Sequence, residues 1–273
     1  MKMNKIIALL LCFVISLGCL ASCQTPAEEE QTPDTDNVTD DTSDVTDEQP
    51  EVDSSKYTVT TTILFATDDG RMKEAVYGMN SSMSIVVDGD NMTLTHNSTT
   101  KNTKIVNLYT LVDGILYHST SLSTEQFSAT VNEKAEMGEK NKNNLLANVG
   151  SGAQIGISDF ENVNTATSGS RMTFTCKNII AASKLSLEDI FSAAFAEYNA
   201  TVVLESVEFK LTTKDMLNES STLSCNFVVT MDGAEYKFTM HLSNSYKYTD
   251  DVVVSAPQDA ENYTEVSYQD IIG

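Results

Sequence analysis

The sequence is short of several things: among 273 residues there is no tryptophan, and there are three histidines, five cysteines and 17 lysines and arginines. The lack of tryptophan and of an evident exposed aromatic platform weakens a carbohydrate-binding reading. His96, His118 and His241 stand singly, with no His-x-His or His-Glu-x-x-His spacing, so no metal is expected. No Gly-x-Ser-x-Gly elbow marks a nucleophile. Gly150-Ser151-Gly152 opens like a dinucleotide fingerprint, but Ile155 stands where the third glycine is due, so a flexible loop is expected and no cofactor. Glu188-Asp189 reads as a solvated pair on the wet side of a helix. These absences point to a protein that is not an enzyme. The 39 acids leave a net charge of −22, which repels nucleic acid and anionic headgroups. No nucleic-acid partner is expected.

What is present begins with an address. Lys2 and Lys5 precede an uncharged, almost wholly apolar run from Ile6 to Leu17. The run is too short to span a bilayer, which takes about 20 apolar residues, but it suits the core of a signal peptide. Leu20, Ala21 and Ser22 then lead into Cys23. An aliphatic residue, two small residues and a cysteine match the lipobox of bacterial lipoproteins. Small residues let the chain enter a peptidase, and the thiol takes a diacylglyceryl group. Cys19 is a rival, but the third residue before it is Ser16, which is not aliphatic. Residues 1–22 are therefore expected to be a lipoprotein signal peptide. Lipid on Cys23 would be the attachment to the outer face of the cell membrane, since no later segment is long and apolar enough to span it.

Residues 23–56 read as the lipidated cysteine and an acidic tether. Positions 24–55 carry twelve acids and no base, with few apolar residues, and cannot bury enough surface to offset the entropy of ordering. The aspartates lack the glycine and closing glutamate of a calcium loop.

Residues 57–273 hold the folded part. Period-two alternation dominates it: Leu223, Cys225, Phe227, Val229 and Met231, then Tyr236, Phe238, Met240 and Leu242 after Asp232-Gly233, predict a hairpin. Val207, Phe209 and Leu211 share a face, as do Met172, Phe174 and Cys176. Tyr57 to Ala66 predicts a strand with Tyr57, Val59, Ile63 and Phe65 on one side. Met83–Val87 and Met92–His96 flank Asp88-Gly89-Asp90-Asn91; Ile105–Val112 and Ile115–Thr120 flank Asp113-Gly114; Phe127–Glu133 adds a strand. Leu187, Ile190, Phe191, Ala194, Phe195 and Tyr198 recur at helical spacing, with Ser186 as the expected cap. A weaker helix is expected from about Lys140 to Asn148. The fold class predicted is α+β: a large curved antiparallel sheet, a half-barrel, with one or two helices packed on its concave face. Cys176 and Cys225 lie on apolar strand faces; export permits a bridge between them, and nothing in the sequence shows them to be neighbours.

The lipobox, acidic tether, tandem hairpins, the Ser186-to-Tyr198 helix and the close Val253-Val254-Ser255-Ala256-Pro257-Gln258-Asp259-Ala260-Glu261-Asn262-Tyr263 together resemble the LolA/LppX-like lipoproteins, in the form carried by Gram-positive bacteria. The likeness is one of element order over most of residues 57–273. It implies an unclosed barrel around helices with an apolar cavity for acyl chains, and hence a binding module for a lipid or other hydrophobic ligand. Phe174, Phe191, Phe195, Phe227, Phe238 and Met240 are the candidate lining, against the reading that they fill a closed core. The alternative function is a surface scaffold, sensor partner or adhesin that works through protein contacts.

Overall fold

The computed structural model describes residues 54–272 apart from 71, 74, 75, 77, 78, 100, 101, 139–154 and 196–199. The signal, lipobox, Cys23, most of the tether, the helix expected near Lys140 to Asn148, the Gly150-Ser151-Gly152 loop and Tyr198 lie outside the described residues. Among the described residues twelve strands form one large, unclosed sheet, antiparallel throughout except at its last pairing. The first six, β1 (Lys56–Thr67), β2 (Ser81–Asp88), β3 (Asn91–Thr99), β4 (Thr103–Val112), β5 (Ile115–Thr124) and β6 (Ser128–Glu136), follow one another as a meander. The next five, β7 (Phe160–Ser168), β8 (Arg171–Ile179), β9 (Thr201–Lys214), β10 (Leu217–Met231) and β11 (Ala234–Tyr248), form a second meander. The two are sewn together where β1 pairs with β11, Tyr57 opposite Tyr248 through Thr67 opposite Phe238.

The turns explain the hairpins. Asp113-Gly114 and Asp232-Gly233 carry positive φ at both central residues, the twist that matches flanking strands. Asp215-Met216 does the same between β9 and β10, at φ +51° and +64°, without a glycine. That hairpin is not legible as a turn dipeptide. Nor is β7, whose residues are all exposed except Phe160 and so show no alternation of apolar and polar positions. On β9, Leu204 and Val207 are both buried although three residues apart. A bulge at Glu205 absorbs the odd spacing: Ser206 pairs with Asn226 and Leu204 with Phe227.

Among the described residues two α-helices with defined ends accompany the sheet. Helix α1 spans Ala181–Ala194 and α2 spans Tyr268–Ile272. The expected start at Ser186 is corrected: α1 begins five residues earlier and Ser186 is inside it. The strong helix formers Ala181 and Ala182 extend it back, the Ile180 carbonyl already accepts from Lys184 N at 2.9 Å, and Ser183 Oγ donates to Asp159 Oδ1 at 2.6 Å. Glu188 is corrected too. It is not a solvated acid: its Oε1 accepts a hydrogen bond from Leu204 N at 2.7 Å, at the bulge. Among the described residues no helix is long and apolar enough to cross a membrane.

One face of the sheet is covered and carries the core. Each strand delivers alternate side chains to it, and each fully buried Leu, Ile, Phe or Met contributes about 1.5–3 kcal/mol. The chain after β11 runs over part of the opposite face. Val254 N donates to Asp88 Oδ2, Tyr263 packs edge-on against Tyr117, and the two-residue strand β12 (Thr264–Glu265) pairs parallel to β6.

Candidate functional site

On the covered face the aromatic side chains gather in one place. Phe191 of α1 lies flat on Phe227 of β10 at 4.8 Å between centroids, and Phe227 lies on Phe238 of β11 at 5.5 Å. Phe195 tilts against Phe238, and Phe65 of β1 meets Phe227 edge-on. Met240 is fully buried beside them, between Phe65 and Cys225 in register. The structure thus brings five of the six expected lining residues together, packed against one another. Phe174 is half-buried on β8, opposite Leu211. Cys176 and Cys225 are both free; β9 lies between their strands, which places them about two strand spacings apart, near 10 Å and beyond the reach of a bridge. Burial pushes the Cys225 thiol up to about 12, so it behaves as a small hydrophobe.

The feature that sequence reasoning missed crosses this face from strand to strand. Reading the register across, Ser221 on β10 faces Asn244 on β11, which faces Thr61 on β1. Thr61 faces Met83 on β2, Met83 faces His96 on β3, His96 faces Asn107 on β4, and Asn107 faces Thr120 on β5. In six of seven strands the apolar phase is broken at the same level by a hydrogen-bonding side chain. The signal is legible once the register is known: Val59-x-Thr61-x-Ile63, Leu94-x-His96, Ile105-x-Asn107-x-Tyr109 and Leu242-x-Asn244 each carry one polar residue in phase with apolar ones.

The row has two unequal stretches. At the seam it is closed: Thr61 Oγ1 donates to Asn244 Oδ1 at 2.8 Å, and Asn244 Nδ2 donates to Ser221 Oγ at 3.0 Å. Toward β4 it is open. His96 is 1% exposed, Asn107 3% and Ser81, diagonal to His96 on β2, 8%. Among the described residues, neither ring nitrogen of His96, nor Asn107 Nδ2, nor Ser81 Oγ has a hydrogen-bond partner. Burial without a partner pulls His96 down from 6.5 to about 4, so it is neutral at physiological pH, with one donor and one acceptor nitrogen. Thr120 Oγ1 donates to Asn107 Oδ1 at 2.8 Å and lies 2.8 Å from His118 Nε2. His118 stacks on Tyr109 at 4.4 Å, and burial holds it below its ordinary value against the pull of Glu133, whose Oε2 is 3.5 Å from Nδ1.

On the opposite face, a cleft of about 600 Å³ lies between β8–β10 and the start of α1, lined by Lys177, Lys184, Glu205, Ser206, Glu208 and Asn226 among others. Its two lysines are paired: Lys177 with Glu208 at 3.2 Å and Lys184 with Glu188 at 3.8 Å. Ser224 Oγ lies 2.9 Å from His241 Nδ1, and the register places Glu208 beyond the serine rather than behind the imidazole, where a triad would need it. Among the described residues no group of three or more His, Cys, Asp or Glu is placed to hold a metal ion.

No protein-family model matches the chain, and no curated protein does. Among solved structures it is similar to the YwiB protein from Bacillus subtilis at 8% identity and a TM-score of 0.17, over 70% of this chain and 91% of that one. It is also similar to an inactive mutant of the CurJ dehydratase in complex with a compound, at 9% identity and a TM-score of 0.12, over 70% of this chain and 75% of that one.

Proposed function

We propose that this protein is a bacterial lipoprotein held on the outer face of the cell membrane by diacylglyceryl on Cys23. Its folded part is then a non-catalytic binding module for a lipid or other hydrophobic ligand. In this reading the fold is an α+β half-barrel, with α1 against the concave side of the sheet and the Phe and Met cluster as the packed floor of one half. The observation that carries it is the polar row: an apolar covered face interrupted at one level by hydrogen-bonding groups, some of them unmet, is the surface an amphiphile complements. Leaving a buried donor or acceptor unmet costs about 1–3 kcal/mol, and a bound head that meets it recovers that cost. The lipobox supports the address, and the acidic tether supports a domain lifted away from the membrane.

The test is native mass spectrometry of the chain from residue 24 onward, exported by a bacterial host and purified without detergent. A mass excess that vanishes on denaturation and extracts as lipid is expected. A bare polypeptide mass, unchanged after incubation with membrane lipid extract, removes the reading. A second reading then gains ground, in which the core is closed and the protein works as a scaffold, sensor partner or adhesin. One observation favours it: β7 ends the sheet with eight of its nine residues exposed, an edge where a partner strand can add. Metabolic labelling with an alkynyl fatty acid tests the anchor independently, and Cys23→Ser should abolish the label.

A further inference from the structure

Resting on the binding-module reading, we propose that the ligand's head is an uncharged group that both gives and takes hydrogen bonds, a hydroxyl or an amide, seated at His96, Asn107 and Ser81 and reached past the β5–β6 edge. The three side chains come from three successive strands of the covered face, His96 and Asn107 level with one another and Ser81 one step away on the diagonal, each at least nine-tenths buried. Their unmet atoms are two ring nitrogens, an amide nitrogen and a hydroxyl oxygen. Together they offer donors and at least one acceptor and no charge, the complement of a hydroxyl or amide.

The surroundings select against ions. Next to these groups in register stand Met83, Ile63, Leu94, Tyr109, Ser98 and Ile105, none of them cationic. A phosphate or carboxylate carried there would be desolvated with no countercharge, a cost of several kcal/mol. On the way in it would pass Glu133, the carboxylate beside His118. Burial along the row points to the route. Asn107 is buried and Thr120 half-buried, and Val131, next in register on β6, is 55% exposed. Phe127, just before β6, is 58% exposed. A head at His96 therefore leaves its apolar tail along Thr120 and Leu122 toward the exposed Val131 and Phe127. Met83, unbranched and adaptable, is the neighbour that can yield space beside His96.

The experiment uses the chain from residue 23 onward with Cys23→Ser, which lacks only the signal and the lipid. The probes are 1-oleoylglycerol and 1-oleoyl-lysophosphatidate, with the same chain and the same glycerol, differing in one phosphate. Equilibrium dialysis should show the neutral lipid binding at least about tenfold more tightly, the discrimination expected when one partner leaves buried groups unmet. His96→Leu should cut neutral-lipid binding by about tenfold or more while raising the melting temperature of the empty protein, and His96→Gln should keep most of the binding. In the unsubstituted protein the His96 ring-nitrogen resonances should move when 1-oleoylglycerol binds, a readout that needs no variant to fold. Equal or tighter binding of the phosphate, or unmoved His96 resonances with 1-oleoylglycerol bound, overturns the inference and leaves the binding-module reading standing. Failure of both probes and of membrane extract to bind overturns both.

Discussion

The two halves of the sheet solve the same problem differently. From β8 to β11 the covered face is closed by side chains stacked on one another, the polar row closes at the seam with β1 in the mutual bonds of Thr61, Asn244 and Ser221, and a single buried hydroxyl, Thr213 at the end of β9, meets no partner among the described residues. From β2 to β4 the face is just as deeply buried, yet His96, Asn107 and Ser81 carry groups that no described residue meets. Burial alone thus does not distinguish a finished core from a site. What distinguishes them is whether unmet polar atoms stand alone, as at Thr213, or are gathered on neighbouring strands, because a satisfied network specifies one packing while an unsatisfied one is free energy held in reserve.

The largest expected effect attacks the finished half. Phe227→Ala removes the ring that touches Phe65, Phe191 and Phe238 and should cost about 3–5 kcal/mol in denaturant unfolding. A loss under about 1.5 kcal/mol would mean that the half repacks and is no more rigid than the other.

Next comes pH. Unfolded His96 takes up its proton near 6.5 and folded His96 near 4, so between those values the unfolded chain binds more protons. Stability should therefore fall by about 3 kcal/mol as pH drops through that window and lose nothing more from this residue below it. His96→Leu should remove that slope, read as the difference between the two unfolding curves against pH. Identical curves would show that the imidazole has a partner or titrates normally.

Third, the two stretches of the row should answer truncation with opposite signs. Asn244→Ala breaks bonds to both Thr61 and Ser221 and should destabilise by about 1–3 kcal/mol, whereas Ser81→Ala removes an unmet hydroxyl and should be neutral or stabilising. Equal losses would erase the contrast between the halves. The smallest effect lies at the turn of the second meander. Met216, 76% exposed at φ +64°, should gain roughly 1 kcal/mol when replaced by glycine, with no change in lipid affinity.

Much of the fold was legible because hairpins are local. Asp-Gly between alternating runs places β4 against β5 and β10 against β11 from the sequence alone. Strand β7 was not legible, because an edge strand exposed on both faces has no reason to alternate. The β9–β10 turn was hidden because a methionine occupies a position that glycine usually marks. Pairing between β1 and β11, and with it the join of the two meanders, has no local signature at all. The site was hidden for the same reason. His96 and Asn107 each read as an isolated polar residue on a strand, and only the register sets them level with Thr61 and Asn244. The aromatic residues were legible as one apolar set, but whether such a set lines a space or fills it depends on what packs against it.

The seam between β1 and β11 also bears on how the chain folds. Thr61 and Asn244 are 183 residues apart in sequence and bond across it. The first meander can form from neighbouring hairpins as soon as it is made, but its leading strand keeps one bare edge until almost the last strand arrives. Closing so long a loop is slow, and for that interval β1 is a template for any matching strand. The β11 of a second molecule matches it as well as its own does. At high concentration, refolding should therefore yield exchanged dimers joined at this seam, and a fast-folding chain would be one in which the two meanders were linked end to end at β1 and β11.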